Sequence, residues 1–434
     1  MEVQYSILQK HYQSLCTSCG VCVAACPTDS LKMGITRDSI FITERNELQR
    51  CCGCELCTKV CAGVEKPPVD NELGNHYQKD HIIGNWLRIY TGYATDTEIR
   101  RNAASGGVTT AFLIGLLEEG SIDGAIVTVP KNDDAFFCKT ILARTREDIL
   151  RSQKSRYTQV DYSLGLQELA EAKGGRFAVV GLPCHIASIT KWSRTSKELK
   201  NKVFLKIGLF CGHGVSSEFP KFVAQSMRIN PIKVRTVDYR SGNWGEFGFK
   251  FIGDFGEKWM KFDGTIIGKI WASYFFCPMR CLICDDGFSE YADISVGDAW
   301  NLSASDKIFG TSLVISRTKV GQSTLDWIIK HNKLDLVPVT RTDVIKSQPS
   351  ISRFKKRGSL SRIGLWKILG KPIPVAEDIH NNSRLKMKEY VFGSIVIVIT
   401  KVSMMFQHCG ILQKIPKKLL IFFLRVLHRI NIYG

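Results

Sequence analysis

Thiols dominate the chemistry this chain can do, and eight of them fall into two runs of one spacing. Cys16, Cys19, Cys22 and Cys26 are followed by Cys51, Cys54, Cys57 and Cys61, each run reading C-x2-C-x2-C-x3-C and the first closed by Pro27. Three thiolates two residues apart can wrap three corners of a 4Fe-4S cube, while the fourth points away and completes a neighbouring cube. The implied ligand sets therefore cross: Cys16, Cys19 and Cys22 with Cys61, and Cys51, Cys54 and Cys57 with Cys26. Disulfides at this density need an oxidising compartment. Zinc needs four ligands per ion and leaves the x3 cysteine unexplained. Ala62 stands where Pro27 stands in the first run, which is expected to loosen the second turn without removing a ligand. Cys52 is a spare thiol beside a ligand.

A second group of thiols has no such repeat. Cys277, Cys281 and Cys284 lie within eight residues, one thiol short of a cluster, while Cys184 follows the apolar run 176–183 and Cys211 the run 203–210. A single buried cysteine is a small hydrophobe, but five so arranged are too many for packing alone. The spacing leaves open whether Cys277 replaces one of the strand-end thiols. Elsewhere, Ser105, Gly106, Gly107 and Val108 lead through Thr109 into an apolar-periodic helix at 111–117. Glycines there leave backbone N–H groups uncovered at a positive helix end, a place for an anionic group such as a cofactor phosphate, although a plain turn has the same sequence. No residue emerges as a general acid or base; His185 and His213 each follow a candidate ligand closely and are expected to pack behind it.

These side chains need elements to position them. The runs 124–130, 176–183 and 203–210 read as buried strands. Helical stretches at 163–172, 186–191 and 217–228 separate or follow them, so strand and helix alternate as in a parallel α/β sheet. Ligands gather at the carboxyl ends of such strands, which directs Cys184 and Cys211 toward one site. Alternating runs at 234–240, 247–251 and 259–262 predict an antiparallel excursion. The expected fold is an α+β, ferredoxin-like module for two 4Fe-4S clusters over residues 1–66, then a linker over 67–85 marked by Pro67 and Pro68. A larger α/β domain with a mainly parallel sheet follows over 86–345, and a basic, partly amphipathic helical C-terminal region over 346–434.

The ordered set of the double cysteine run, Ser-Gly-Gly-Val-Thr at 105–109, Gly-Leu-Pro-Cys-His at 181–185, Gly-Leu-Phe-Cys-Gly-His at 208–213, Cys-Leu-Ile-Cys at 281–284 and Asp-Ile-Ser-Val-Gly-Asp-Ala-Trp at 293–300 resembles the beta-subunit family of coenzyme F420 hydrogenases and dehydrogenases. The resemblance runs from about Cys16 to Gly321. It implies a flavin-dependent iron–sulfur oxidoreductase that passes electrons between clusters, FAD and a reducible partner. In the family that partner is the deazaflavin coenzyme, a ferredoxin-coupled subunit or, in the plant branch, a chlorophyll derivative. Bacterial relatives with a ferredoxin module also stand beside polysaccharide-synthesis genes. The resemblance further implies Cys184, Cys211, Cys281 and Cys284 as ligands of a third 4Fe-4S cluster, with Cys277 as a rival. Ser105, Gly106, Gly107 and Thr109 become a flavin-phosphate cradle, Tyr157 a ring neighbour, and Asp298 and Trp300 supports behind the ligands. The expected donor is reduced ferredoxin or another redox protein, and the expected acceptor an organic molecule; the alternative is a non-catalytic electron-transfer subunit feeding a separate enzyme. Two departures stand out. The family usually has Gly-Thr-Pro-Cys-Gln at 181–185, and Gly-Ser-Lys-Tyr where this chain has Lys154, Ser155, Arg156 and Tyr157, so a loop near the cofactor is expected to change.

At 434 residues the chain can hold two or three domains. Its first fifteen residues lack the apolar run of a secretory signal, and sixteen cysteines in metal-type spacing suit a reducing cytoplasm. The net charge of +18 is concentrated late: from Ile351 onward 16 Lys and Arg face 3 Asp and Glu, a net +13. The apolar run 391–400 is cut by Lys401 after ten residues, too short to span a membrane. From Lys414, helical spacing sets Ile415, Leu419, Phe422, Phe423, Val426 and Ile430 apart from Lys414, Lys418, Arg425 and Arg429. That pattern suits an anionic membrane surface, so the expected location is cytoplasmic and peripheral at the inner face. Nucleic acid is not an expected partner, because the tail is more apolar than nucleic-acid arms.

Overall fold

The computed structural model describes residues 13–47, 50–68, 77–302, 308–375, 387–408, 410–412 and 414–415. At the N-terminal end, each cysteine run turns into a four-residue helix, Val21–Ala24 and Leu56–Lys59. Between them lies an antiparallel hairpin, β1 (Leu31–Ile35) and β2 (Phe41–Arg45).

The body is built on a nine-stranded sheet. Its strands are β3 (Arg88–Ala94), β4 (Gly124–Pro130), β5 (Cys138–Ala143), β6 (Val160–Asp161), β7 (Phe177–Gly181), β8 (Val203–Leu209), and, after a three-stranded antiparallel sheet of β9 (Val234–Ser241), β10 (Gly248–Gly253) and β11 (Gly256–Lys261), β12 (Ile294–Asp298), β13 (Ser312–Ser316) and β14 (Leu334–Pro338). The spatial order is β14-β3-β13-β12-β8-β7-β4-β5-β6. The pairs β12/β8, β8/β7, β7/β4 and β5/β6 are parallel, whereas β14/β3, β3/β13, β13/β12 and β4/β5 are antiparallel. The expectation of a mainly parallel sheet is therefore corrected to a mixed one. Apolar periodicity marks a strand without fixing the direction of its neighbour, and the strands at 88–94, 138–143 and 334–338 were not foreseen.

Side chains alternate between sheet faces with the two-residue period of a strand. Ala178 and Val180 enter the core beneath helices Val108–Glu118 and Lys319–Lys330. Phe177 and Val179 enter the opposite core, shared with helix Ser163–Glu171, helix Pro183–Thr195 and the first cysteine run, including Val21 and Val23. The N-terminal module thus shares a core with the sheet.

The basic C-terminal region divides. Residues 352–357 form a wide, π-type turn that continues into helix Gly358–Ile368. Lys355 and Arg362 are buried there, so this part of the charge run belongs to the body rather than to a solvated arm. Lys401 does not interrupt the next helix, which runs Met387–His408 and is long and apolar enough, by length and composition, to cross a membrane. One of its sides, with Gly393, Val396, Ile397 and Thr400, is buried, and Gly393 lies against Ser361 and Arg362. The amphipathic stretch expected beyond Lys414 lies, from residue 416 on, outside the described residues.

Candidate metal and cofactor sites

Both cysteine runs carry left-handed residues at matching places: Ser18 and Gly20 in the first, Gly53 and Glu55 in the second. These turns fold each C-x2-C-x2-C segment back on itself. Cys61, from the second run, is an electrostatic neighbour of Cys16 and Cys19, and Cys22 of Cys61. Cys57 has Cys26 and Cys54 as its thiol neighbours. The fourth thiol of each run therefore lies with the other run. Burial raises the thiols of Cys16 and Cys22, and pushes Cys61 up to about 12; loading metal must drive their protons off. Among the described residues no three His, Cys, Asp or Glu side chains converge on a point that would hold a single ion. Thiols that ligate separate corners of a cube have no need to do so.

Cys184 and Cys211 leave the neighbouring parallel strands β7 and β8 at the same sheet end. Cys184 has Cys19 of the N-terminal module as its strongest electrostatic neighbour among the thiols, followed by Cys211, Cys284 and Cys281. Burial raises Cys184 and pushes Cys211 up to about 12. Cys277, 1% exposed, donates to the Pro278 carbonyl at 3.6 Å; burial raises Cys277, and the neighbouring Cys277 thiol lowers Cys281. The two rivals thus differ: Cys281 is a neighbour of Cys184 and Cys211, and Cys277, fully buried, is not among the neighbours of either.

Helix Pro183–Thr195 ties the two thiol regions together. It starts at Cys184; one turn on, the Ser188 hydroxyl meets Cys19 Sγ at 3.5 Å and accepts from the Ala62 N–H at 3.1 Å. Lys191 donates to the Cys61 carbonyl at 3.4 Å and pairs with Glu65 at 2.9 Å. A proline at 62 would have no N–H to give, so the missing proline of the second run docks the module instead of loosening its turn. Arg280, beside Cys281, donates to the carbonyls of Leu15 and Gly63 at 3.1 and 3.2 Å, and Lys66 pairs with Asp285. His185 sits at the helix start, where its Nδ1 accepts from the Leu182 N–H at 3.2 Å. Burial pushes it down to about 3, and His213, packed at a tilt against Trp271 at 4.5 Å, down to about 4. Both are neutral packing groups.

The segment 105–109 has a different surrounding. The Ser105 hydroxyl donates to the Thr311 carbonyl at 2.7 Å and the Gly106 N–H to Ser312 Oγ at 3.1 Å. A Cβ on Gly106 would stand 2.5 Å from the Gly92 carbonyl, so this glycine serves close packing on β3. Gly107, at φ 75°, begins helix Val108–Glu118 without a side-chain cap. Nearby, the buried Arg240 reaches the Ala104 carbonyl, the Tyr157 hydroxyl at 3.1 Å and Asp298 at 3.0 Å. Burial opposes its charge, but Tyr157 and Asp298 more than offset that; its Nε has no partner among the described residues. Trp300 stacks on Trp244 at 4.2 Å, and Tyr157 packs on Trp271 at 4.8 Å. Asp298 and Trp300 therefore support Arg240 and the segment 104–107, not the thiols. Arg240 escaped the sequence reading because a lone arginine ending a strand carries no signal. Lys154, where the family usually has glycine, holds a left-handed φ of 71° and pairs with Asp238 at 2.7 Å. That backbone conformation is one glycine adopts at little cost.

Comparison with known proteins gives three family-model matches and several relatives. Residues 89–166 match the family model for the N-terminal part of the coenzyme F420 hydrogenase/dehydrogenase beta subunit, residues 174–342 that for its C terminus, and residues 10–32 a 4Fe-4S binding domain. The coenzyme F420 hydrogenase subunit beta of Methanosarcina barkeri is 27% identical over 267 residues, 60% of this chain and 85% of that one. The coenzyme F420-dependent sulfite reductase of Methanocaldococcus jannaschii is 27% identical over 359 residues, 79% of this chain but 50% of the reductase. A chain of the F420-reducing NiFe hydrogenase complex from Methanosarcina barkeri shares the fold, with a TM-score of 0.55 and 23% identity over 69% of this chain and 99% of that one.

Proposed function

Because the chain belongs to the coenzyme F420 hydrogenase/dehydrogenase beta-subunit family and carries a 4Fe-4S binding domain, it is an iron–sulfur electron-transfer protein, and we propose that it is a flavin-dependent oxidoreductase moving electrons from reduced ferredoxin or another redox protein to an organic acceptor. The two crossing sets from residues 16–61 would hold two 4Fe-4S clusters, and Cys184, Cys211, Cys281 and Cys284 a third. FAD would lie near the segment 105–109, with Gly107 and Thr109 at the uncapped helix start, the unpartnered Arg240 Nε facing anionic oxygens and Tyr157 beside the ring. Bound clusters supply one-electron transfer, and bound FAD joins single electrons to hydride delivery.

The observation that carries this reading is the shared helix Pro183–Thr195. Its Cys184 stands in one set while Ser188 and Lys191 hold the other through Cys19, Ala62 and Cys61. Such a helix fixes the separation of two redox sites and keeps water out between them. The spectrum and iron content of anaerobically purified protein test the reading. About twelve irons per chain, roughly four for each cube, and one FAD bleached by dithionite are expected; Cys281→Ser should slow that bleaching while the N-terminal clusters still reduce. Protein that binds no flavin on reconstitution with FAD sinks the flavin reading and leaves the electron-transfer subunit.

A peripheral position on an anionic membrane is the second part of the proposal. Val391, Val398 and Met405 are exposed along helix Met387–His408, with exposed Lys401 among them. Cosedimentation with phosphatidylserine vesicles should weaken as salt rises; equal binding at high salt, or none at low salt, removes this part.

A further inference from the structure

Among the cations of this chain, Lys355 has the environment hardest to explain by folding alone. It sits in the wide turn Ser352–Arg357, of the kind that recurs at functional sites, and is 1% exposed. Its neighbour Lys356 pairs with Glu290, and Lys66 with Asp285. Among the described residues no carboxylate lies within ion-pair distance of Lys355. Its charge instead has the thiols of Cys284, Cys211 and Cys281 as its electrostatic neighbours. The stem fits because residue 287 is glycine: a Cβ there would stand 3.1 Å from Lys355 Cγ and 2.3 Å from Ile351 Cγ2. The Gly287 carbonyl also accepts from the Cys211 N–H at 2.9 Å. The cation and the thiols are thus packed as one unit.

A buried ammonium needs a compensating negative charge. Neutral thiols do not provide it, whereas thiolates bound to a cube do, because a 4Fe-4S core with four thiolates is net negative and gains another negative charge on reduction. We propose that Lys355 is a charge-compensating positioning residue for the cluster held by Cys184, Cys211, Cys281 and Cys284, and that it raises the reduction potential of that cluster by stabilising the reduced form. This rests on the third-cluster reading above. The sign follows from charge: a fixed cation beside the thiolates favours the more negative state. In the step concerned, one electron enters the cluster, no bond breaks and Lys355 keeps its proton. Beside the crossing sets the buried Lys191 reaches the Cys61 carbonyl and is paired with Glu65, so an unpaired buried lysine distinguishes the third set.

The test is an EPR-monitored redox titration of the full-length protein, purified anaerobically with its clusters and reduced by dithionite. Lys355→Met should lower the midpoint of the third signal by at least tenfold in the reduction equilibrium, 59 mV for one electron. The two N-terminal signals should stay in place, and Lys355→Arg should return the third close to the wild-type value. A Lys355→Met protein that keeps its iron and titrates like wild type overturns the proposal, as does Lys355→Arg shifting as far as Lys355→Met. Should Lys355→Met lose the third cluster, Lys355→Gln decides by the same criterion. Loss of iron from both neutral variants with retention in Lys355→Arg supports the role of charge, and loss from all three overturns it in favour of packing. Wild-type protein with only about eight irons, two cubes' worth, instead shows that the third-cluster reading itself has failed.

Discussion

The two cysteine runs share one spacing and one backbone, yet they live in opposite surroundings. Ser18 and Gly20 in the first run match Gly53 and Glu55 in the second, at φ 62°, 68°, 69° and 57°. The first run lies in the shared core, with Cys19, Gly20, Val21 and Cys22 buried, whereas Cys52, Gly53, Cys54 and Glu55 are exposed. A Cβ on Gly20 would stand 2.8 Å from the Ser163 backbone nitrogen, so only glycine fits there. At the equivalent left-handed position of the second run nothing crowds the side chain, and glutamate stands in its place. The motif dictates the turn, and the neighbouring domain dictates which residue can make it. The exposed copy lies at the surface, and the buried copy brings Cys19 next to Cys184.

Exchanging the fourth ligands breaks the comparison most severely. Cys61→Ser should remove the buried cluster and Cys26→Ser the exposed one, each lowering iron by about four per chain, with Cys61→Ser costing more thermal stability because its site is in the core. If the double variant keeps all its iron, the crossing scheme is wrong. Next in size is Gly20→Ala, which adds a clash to an unfavourable φ and should destabilise by roughly 2–4 kcal/mol, read from denaturant unfolding of the metal-loaded protein. An unchanged midpoint would mean that the first run is not pressed on Ser163. Ala62→Pro removes the N–H that Ser188 accepts and should cost about 1–3 kcal/mol, while Pro27→Ala should cost less; equal effects would deny the docking role of Ala62. The smallest effect is expected from Glu55→Gly, a gain of up to about 1 kcal/mol from relief of the left-handed strain, measured as a rise in melting temperature. A loss there would show that the exposed run depends on the Glu55 side chain.

Much of this was legible in the chain itself. Cysteine spacing is a local property that cluster ligation demands, so a scheme that brings Cys61 near Cys16 and Cys26 near Cys57 could be written from the sequence, and the fold places those thiols as neighbours. Apolar runs marked β4, β7 and β8 within a few residues, and hence which thiols, Cys184 and Cys211, end neighbouring strands. Periodicity says which residues avoid water but nothing about what lies beside them, so the antiparallel flanks of the sheet and the origin of β5 and β14 stayed hidden. In the sequence Arg353, Lys355 and Lys356 belong to the basic C-terminal region, and charge is normally exposed. Only the folded chain, by bringing Cys211, Cys281 and Cys284 around one ammonium, turned a residue of that region into part of the interior. The same holds for Arg240 and Ser188: a buried polar group is stable only with partners, those partners come from distant segments, and no local pattern records them.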